Sequence, residues 1–184
     1  MIDNNTTPLH KIYNRFLAKI TDDLYLELTR EDTERDLEAL FLSAISLFEF
    51  PRFPLYSYDL DYEYLDDFGM VESKGRYEVK LTEEEIDIIT DCMLIEWVRR
   101  QIASVENTRM KYSGSDFKFT SQANHLDKLL KFKKDSIETN RRKQRLYKRR
   151  KVDATTGMIA SNLSGLAGGV ISGRMVLENL FLYF

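Results

Sequence analysis

A chain of 184 residues, 43% hydrophobic and 31% charged, is long enough for one modest domain and apolar enough to fill a core. Its single cysteine, Cys92, excludes an internal disulfide and suits synthesis in a reducing cytoplasm. The net charge of −3 hides a division: residues 1–100 carry 11 Lys and Arg against 23 Asp and Glu, whereas residues 101–184 carry 16 against 7. Such asymmetry implies either a subunit with two unlike faces or an attached tail that seeks an acidic partner; solvated helix faces are the plainer alternative.

The opening segment Met1–Thr7 is polar and lacks the pattern of a signal peptide. Thr7 as a cap and Pro8 at the first helical position precede Leu9, Ile12, Tyr13, Phe16, Leu17 and Ile20, one apolar stripe at the helical period. Thr21-Asp22-Asp23 reads as a break, and Leu24–Leu28 as a short apolar segment. A second helix is predicted from Thr29, with Glu31, Asp32, Glu34 and Asp36 crowding its positive end and Leu37, Leu40, Phe41, Ala44, Ile45 and Phe48 as its buried stripe. Pro51 and Pro54 end it, and these two helices are expected to pack on each other.

From Tyr56 the period changes to two. Tyr56, Tyr58, Leu60, Tyr62 and Tyr64 alternate with Ser57, Asp59, Asp61 and Glu63, and Arg76–Leu81 alternates again after a turn region bracketed by Gly69 and Gly75. The expectation is a β-hairpin at about 56–81. The capping box Thr82-Glu83-Glu84-Glu85 then starts a third helix, running to about Val105. Its wide apolar surface (Ile86, Ile88, Ile89, Cys92, Met93, Trp97, Val98) marks the central helix of a bundle. Lys111–Asp116 reads as a turn, and a last helix begins near Thr120 or Ser121, with Leu126, Leu129, Leu130, Phe132 or Lys133, and Ile137 as a short buried face.

Arg141–Lys151 holds eight Lys or Arg in eleven positions: Arg141, Arg142, Lys143, Arg145, Lys148, Arg149, Arg150 and Lys151. At this density they can neutralise phosphates, dock on an acidic protein or simply be solvated. The rest, 154–184, is small and polar to Gly173 and then apolar at Met175, Val176, Leu177, Leu180, Phe181, Leu182, Tyr183 and Phe184. An exposed end of that kind would aggregate, so it calls for cover by a neighbouring subunit or by its own core. The stretch Ala154–Gly173, diluted by Thr, Ser, Asn and five glycines, is a poor membrane span. The fold expected is mainly α: a small bundle of three to four helices with an inserted β-hairpin (residues 1–150) and an extended C-terminal arm (151–184).

No catalytic constellation assembles. His10 and His125 stand apart beside leucines, and Cys92 sits on an apolar helix where packing is the better reading than nucleophilic chemistry. Asp59, Asp61, Glu63, Asp66 and Asp67 lack the glycine and terminal glutamate of a calcium loop and read as a charged strand edge. Asp67-Phe68-Gly69 matches a kinase triplet by letters only, with no glycine-rich loop beside it. Neither an enzymatic activity, a metal nor a cofactor is expected.

Two stretches carry a resemblance. One is Lys11–Asp23 (KIYNRFLAKITDD). The other runs from Leu81 through Trp97 to Asn107-Thr108-Arg109-Met110-Lys111-Tyr112-Ser113-Gly114-Ser115-Asp116-Phe117-Lys118-Phe119-Thr120-Ser121-Gln122-Ala123-Asn124-His125. Together they resemble a family of small tailed-bacteriophage structural proteins, the head–tail connector or neck adaptors, over roughly residues 8–150. The block Glu106–His125 is the most specific, with Asn107, Arg109, Lys111, Tyr112, Gly114 and Asp116 as its family-like loop. The resemblance implies a virion protein made in the host cytoplasm, with no membrane partner. It would form a ring of about a dozen copies between the portal protein and a downstream neck or tail protein, around the packaged DNA. In that setting Tyr56, Tyr58, Tyr62 and Tyr64 are hairpin contacts, the basic run meets portal, neighbour or DNA, and the apolar C-terminus is an inter-subunit arm. The alternative is a small helical nucleic-acid-binding or regulatory protein that uses the basic run.

Overall fold

The structure, a computed structural model, describes residues 5–20, 24–65, 68–111 and 119–150. The chain divides into two compact units, Met1–Lys148 and Arg149–Phe184. In chain order the elements are β1 (Thr7–Pro8), α1 (Leu9–Leu17), α2 (Leu24–Glu27), α3 (Arg30–Ala44) with a 3-10 turn at Ile45–Leu47, β2 (Tyr58–Leu65), β3 (Val71–Tyr77), α4 (Glu83–Lys111) and α5 (Phe119–Arg149). The architecture is mainly helical with one small antiparallel sheet, as the periodicities predict.

Two helix starts follow from local chemistry. Thr29 caps α3, its side chain accepting from the Asp32 amide. Thr82 and Glu85 form the reciprocal box: the Thr82 amide donates to Glu85 Oε2 at 2.7 Å while the Glu85 amide donates to Thr82 Oγ1 at 3.3 Å. The start of α1 departs from expectation. Pro8, in extended conformation, is itself the cap residue, and Thr7 is drawn into a strand. Its hydroxyl donates to the Val79 carbonyl at 3.0 Å and accepts from the Leu81 amide at 2.7 Å, so it stitches the N-terminus to the entry of α4.

The sheet has the order β1-β3-β2, with β3 in the middle. The second strand lies at Val71–Tyr77 rather than Arg76–Leu81, and Gly75 is inside it rather than in the turn. Gly69 (φ +77°) makes the hairpin turn. Gly75 has φ +80° and lies where an added Cβ would stand 2.6 Å from Leu9 Cδ1, so its missing side chain lets α1 press on the sheet there. Opposite it, β2 bulges: Asp59 pairs with Arg76 and Glu63 with Lys74, leaving Leu60–Tyr62 to face one residue.

The core forms around α4, whose Ile86, Ile88, Ile89, Cys92, Met93 and Val98 are fully buried. Helices α1 and α3 both pack on α4, and meet each other through Tyr13 and Phe41. That pair begins a chain of edge-to-face ring contacts through Tyr77, Phe53 and Phe48 to Tyr147 on α5, with centroids 5.6–6.3 Å apart. Each such pair adds about 0.5–1.5 kcal/mol beyond its burial. Tyr77, buried, donates its hydroxyl to the Leu55 carbonyl at 3.1 Å, and burial raises its pKa above the ordinary phenol range.

Helix α5 runs unbroken through the basic run to Arg149. Its buried face departs from the sequence expectation: Leu130 is 43% exposed and Phe132 45% exposed, whereas Asn140, Gln144 and Tyr147 are buried. The docking end of α5 meets loop carbonyls and amides that only polar side chains can satisfy.

Candidate functional site

The C-terminal third of α5 lies antiparallel along the start of α4, held by hydrogen bonds from its buried side chains Asn140, Gln144 and Tyr147. Asn140 Nδ2 donates to Cys92 Sγ at 3.1 Å. Gln144 Nε2 donates to the Leu47 carbonyl at 3.0 Å and to Asn140 Oδ1 at 2.9 Å, and its Oε1 accepts the Glu49 amide at 2.8 Å. Tyr147 donates to Glu85, and its ring lies under the Arg52 guanidinium at 4.4 Å. Arg52 also donates to the Tyr147 carbonyl. Burial pushes the Cys92 thiol up to about 12, so the cysteine is a packing residue with no thiolate at neutral pH.

Beside this network is a square of charges. Lys19 and Lys143 each bridge Asp87 and Asp91, all four Nζ–Oδ distances being 2.6 Å. Lys19 also donates to Thr90 Oγ1 at 2.9 Å. Burial opposes ionisation of Asp87, but hydrogen bonds from Lys143 and Lys19 overcome it and hold its carboxyl below the usual carboxylate range. Burial likewise works against the Lys143 charge, and bonds to Asp87 and Asp91 raise its pKa nonetheless. The square ties the turn that follows α1 to α4 and α5.

The basic run is therefore not one uniform patch. Lys143 is consumed in the square, Arg141 turns toward Glu49 at 4.0 Å, and Lys148 lies over the Phe50 ring at 4.1 Å. Arg142 and Arg145 are exposed on the outer side of α5, with no ion pair among the described residues, and Arg149 is the last helical residue. Arg150 is exposed, and Lys151 lies outside the described residues. The linear reading missed Lys128, Lys131 and Lys134, which are also exposed on α5. Helical spacing, rather than residue density, was the signal that finds them.

The four tyrosines part company. Tyr58 packs against Phe41 and Tyr77 at the core, Tyr62 stacks under Arg76 at 3.8 Å and against Tyr64, and Tyr64 meets His10. Only Tyr56 is well exposed, at 66%. What the hairpin presents outward is instead its apolar end, Leu65, Phe68, Met70 and Val71, with Phe68 90% exposed. His10 Nδ1 is 2.9 Å from Ser73 Oγ, which links α1 to β3. An open cleft of about 1130 Å³ is lined by residues of α1, α3 and β3, His10, Asn14, Arg30, Glu34 and Lys74 among them. Arg30 pairs there with Glu34, and Lys74 with Glu63.

In the family-like loop, Asn107 is exposed on α4 and Arg109 and Lys111 complete that helix, which extends six residues beyond Val105. Tyr112, Gly114 and Asp116 lie outside the described residues, as do Thr21–Asp23, Asp66, Asp67 and the whole arm from Met175 to Phe184. Among the described residues, no group of three or more His, Cys, Asp or Glu could hold a metal ion. No described helix is long and apolar enough to cross a membrane. No protein family, curated protein or solved structure matches this chain.

Proposed function

We propose that this chain is a structural subunit of a tailed-phage neck, a connector that assembles as a ring between portal and tail. The sequence resemblance over residues 8–150 motivates the reading. The observation that carries it is the apolar end of the β2–β3 hairpin, where Leu65, Phe68, Met70 and Val71 are all exposed. Four large apolar side chains clustered at a hairpin end are a poor arrangement for a solitary molecule and a good one for insertion into a neighbour.

A second feature supports the same reading. By helical rise, α4 (29 residues) and α5 (31 residues) are about 43 and 46 Å long. Yet the described buried positions stop at Ile102 on α4 and resume only at Asn140 on α5. The intervening helical arms, with Leu130 and Phe132 exposed, are long for the core they serve. Repeated around a ring, such arms supply contacts between adjacent copies.

Sedimentation velocity at rising concentration tests the reading. The wild-type chain is expected to move from 21.7 kDa toward a multi-copy species of about 260 kDa, a dozen copies. The double variant Leu65→Asp, Phe68→Asp should require at least about tenfold more protein to do so, the equivalent of 1.4 kcal/mol. Identical assembly by both proteins would exclude the hairpin end as the contact.

A further inference from the structure

We propose that the outer face of α5 binds the phosphate backbone of duplex nucleic acid, through Lys128, Lys131, Lys134, Arg142 and Arg145. All five side chains are exposed, and none has an ion-pair partner among the described residues. At 100° per residue they fall within an arc of about 120°, on the side opposite Asn140, Gln144 and Tyr147. From Lys128 to Arg145 the line is about 26 Å long at 1.5 Å per residue.

The structure itself sorts these cations from their neighbours. Lys143, Arg141 and Lys148 are turned to Asp87 and Asp91, to Glu49 and to Phe50, so they help to dock α5. The five in the line do none of that work. Their charge is balanced locally only by Asp127, Asp135 and Glu138, so α5 as a whole carries ten Lys or Arg against three Asp or Glu.

The chemistry of the line selects its partner. A protein interface needs an apolar centre and is depleted in lysine there, whereas the apolar side chain that shares this arc, exposed Leu146, lies past its end, beyond Arg145. A duplex presents about one phosphate per 1.7 Å of axis, so a straight 26 Å row of flexible cations always has phosphates within reach. Nothing on this face is built to read base edges: there is no asparagine or glutamine between the cations, and Glu138 interrupts the row. The contact is sequence-independent and weak in one copy, and it multiplies when several copies act together. It stands whether or not the chain forms a ring.

The test is fluorescence anisotropy of the full chain with a 30-base-pair duplex, titrated from low to moderate salt. With all five cations engaged, log affinity should fall against log salt with a slope of about −4 to −5. Lys128→Gln, Lys131→Gln, Lys134→Gln together should reduce the slope to about −2 and weaken binding at least tenfold at low salt. Lys11→Gln, Lys74→Gln, Lys80→Gln, with the same loss of charge elsewhere, should stay within about twofold of wild type. Circular dichroism confirms that both triples are folded. Equal binding by the stripe variant and wild type overturns the proposal, as does absence of binding by the folded wild type. If the stripe variant keeps its duplex affinity but loses self-association in sedimentation, the face serves an acidic protein surface instead.

Discussion

Gln144→Leu isolates the network that docks α5, because leucine nearly keeps the side-chain volume and removes only the amide. Gln144 is 3% exposed and makes three hydrogen bonds, to the Leu47 carbonyl, the Glu49 amide and Asn140 Oδ1. The Leu47 and Glu49 groups lie in a partly exposed loop and can recover water, at a cost of about 0.5–1 kcal/mol each. Asn140 is 2% exposed, and its stranded carbonyl oxygen costs about 1–3 kcal/mol. The sum is about 2–5 kcal/mol, or a fall in Tm of about 4–20 °C for a domain of this size. Urea unfolding measures the loss, and hydrogen exchange should show the Glu49 amide losing protection first. A variant within about 0.5 kcal/mol of wild type would refute the reasoning, since that is the effect of an ordinary surface substitution.

Gly75→Ala forces a left-handed residue to carry a Cβ directed at buried Leu9, so we expect about 2–4 kcal/mol of destabilisation in thermal unfolding; Gly69→Ala, with open space around it, should cost only the backbone strain of about 1–2 kcal/mol. The charge square should make stability acid-sensitive. Because the folded pKa of Asp87 is depressed, its contribution is complete above the unfolded carboxylate value of about 3.9 and is lost as pH falls through the lower folded value. Lys143→Gln, which removes one of its two lysine partners, should therefore flatten the decline of urea midpoint in that window; unchanged acid sensitivity would contradict this account.

Much of the fold is legible from local rules. The caps at Thr29 and Thr82, the stripe of α1 and the alternation in β2 each reappear where the pattern places them. The failures share a cause, which is that distant partners decided the outcome. β3 shows little apolar alternation because Ser73 is satisfied by His10 and Gly75 makes room for Leu9. Thr7 reads as a helix cap but serves Val79 and Leu81, 72 and 74 residues away. The docking face of α5 is polar, and an apolar-periodicity rule cannot see Asn140 and Gln144 as buried. The basic run was visible as density, whereas its division into docking and outward cations depends on Asp87, Asp91, Glu49 and Phe50.

The most direct test of the neck assignment is to mix the purified chain with the portal ring of its own genome and image the mixture by negative-stain electron microscopy. An additional ring of density stacked on the portal is expected. Portal rings without added density, in the presence of intact and folded protein, would contradict that assignment.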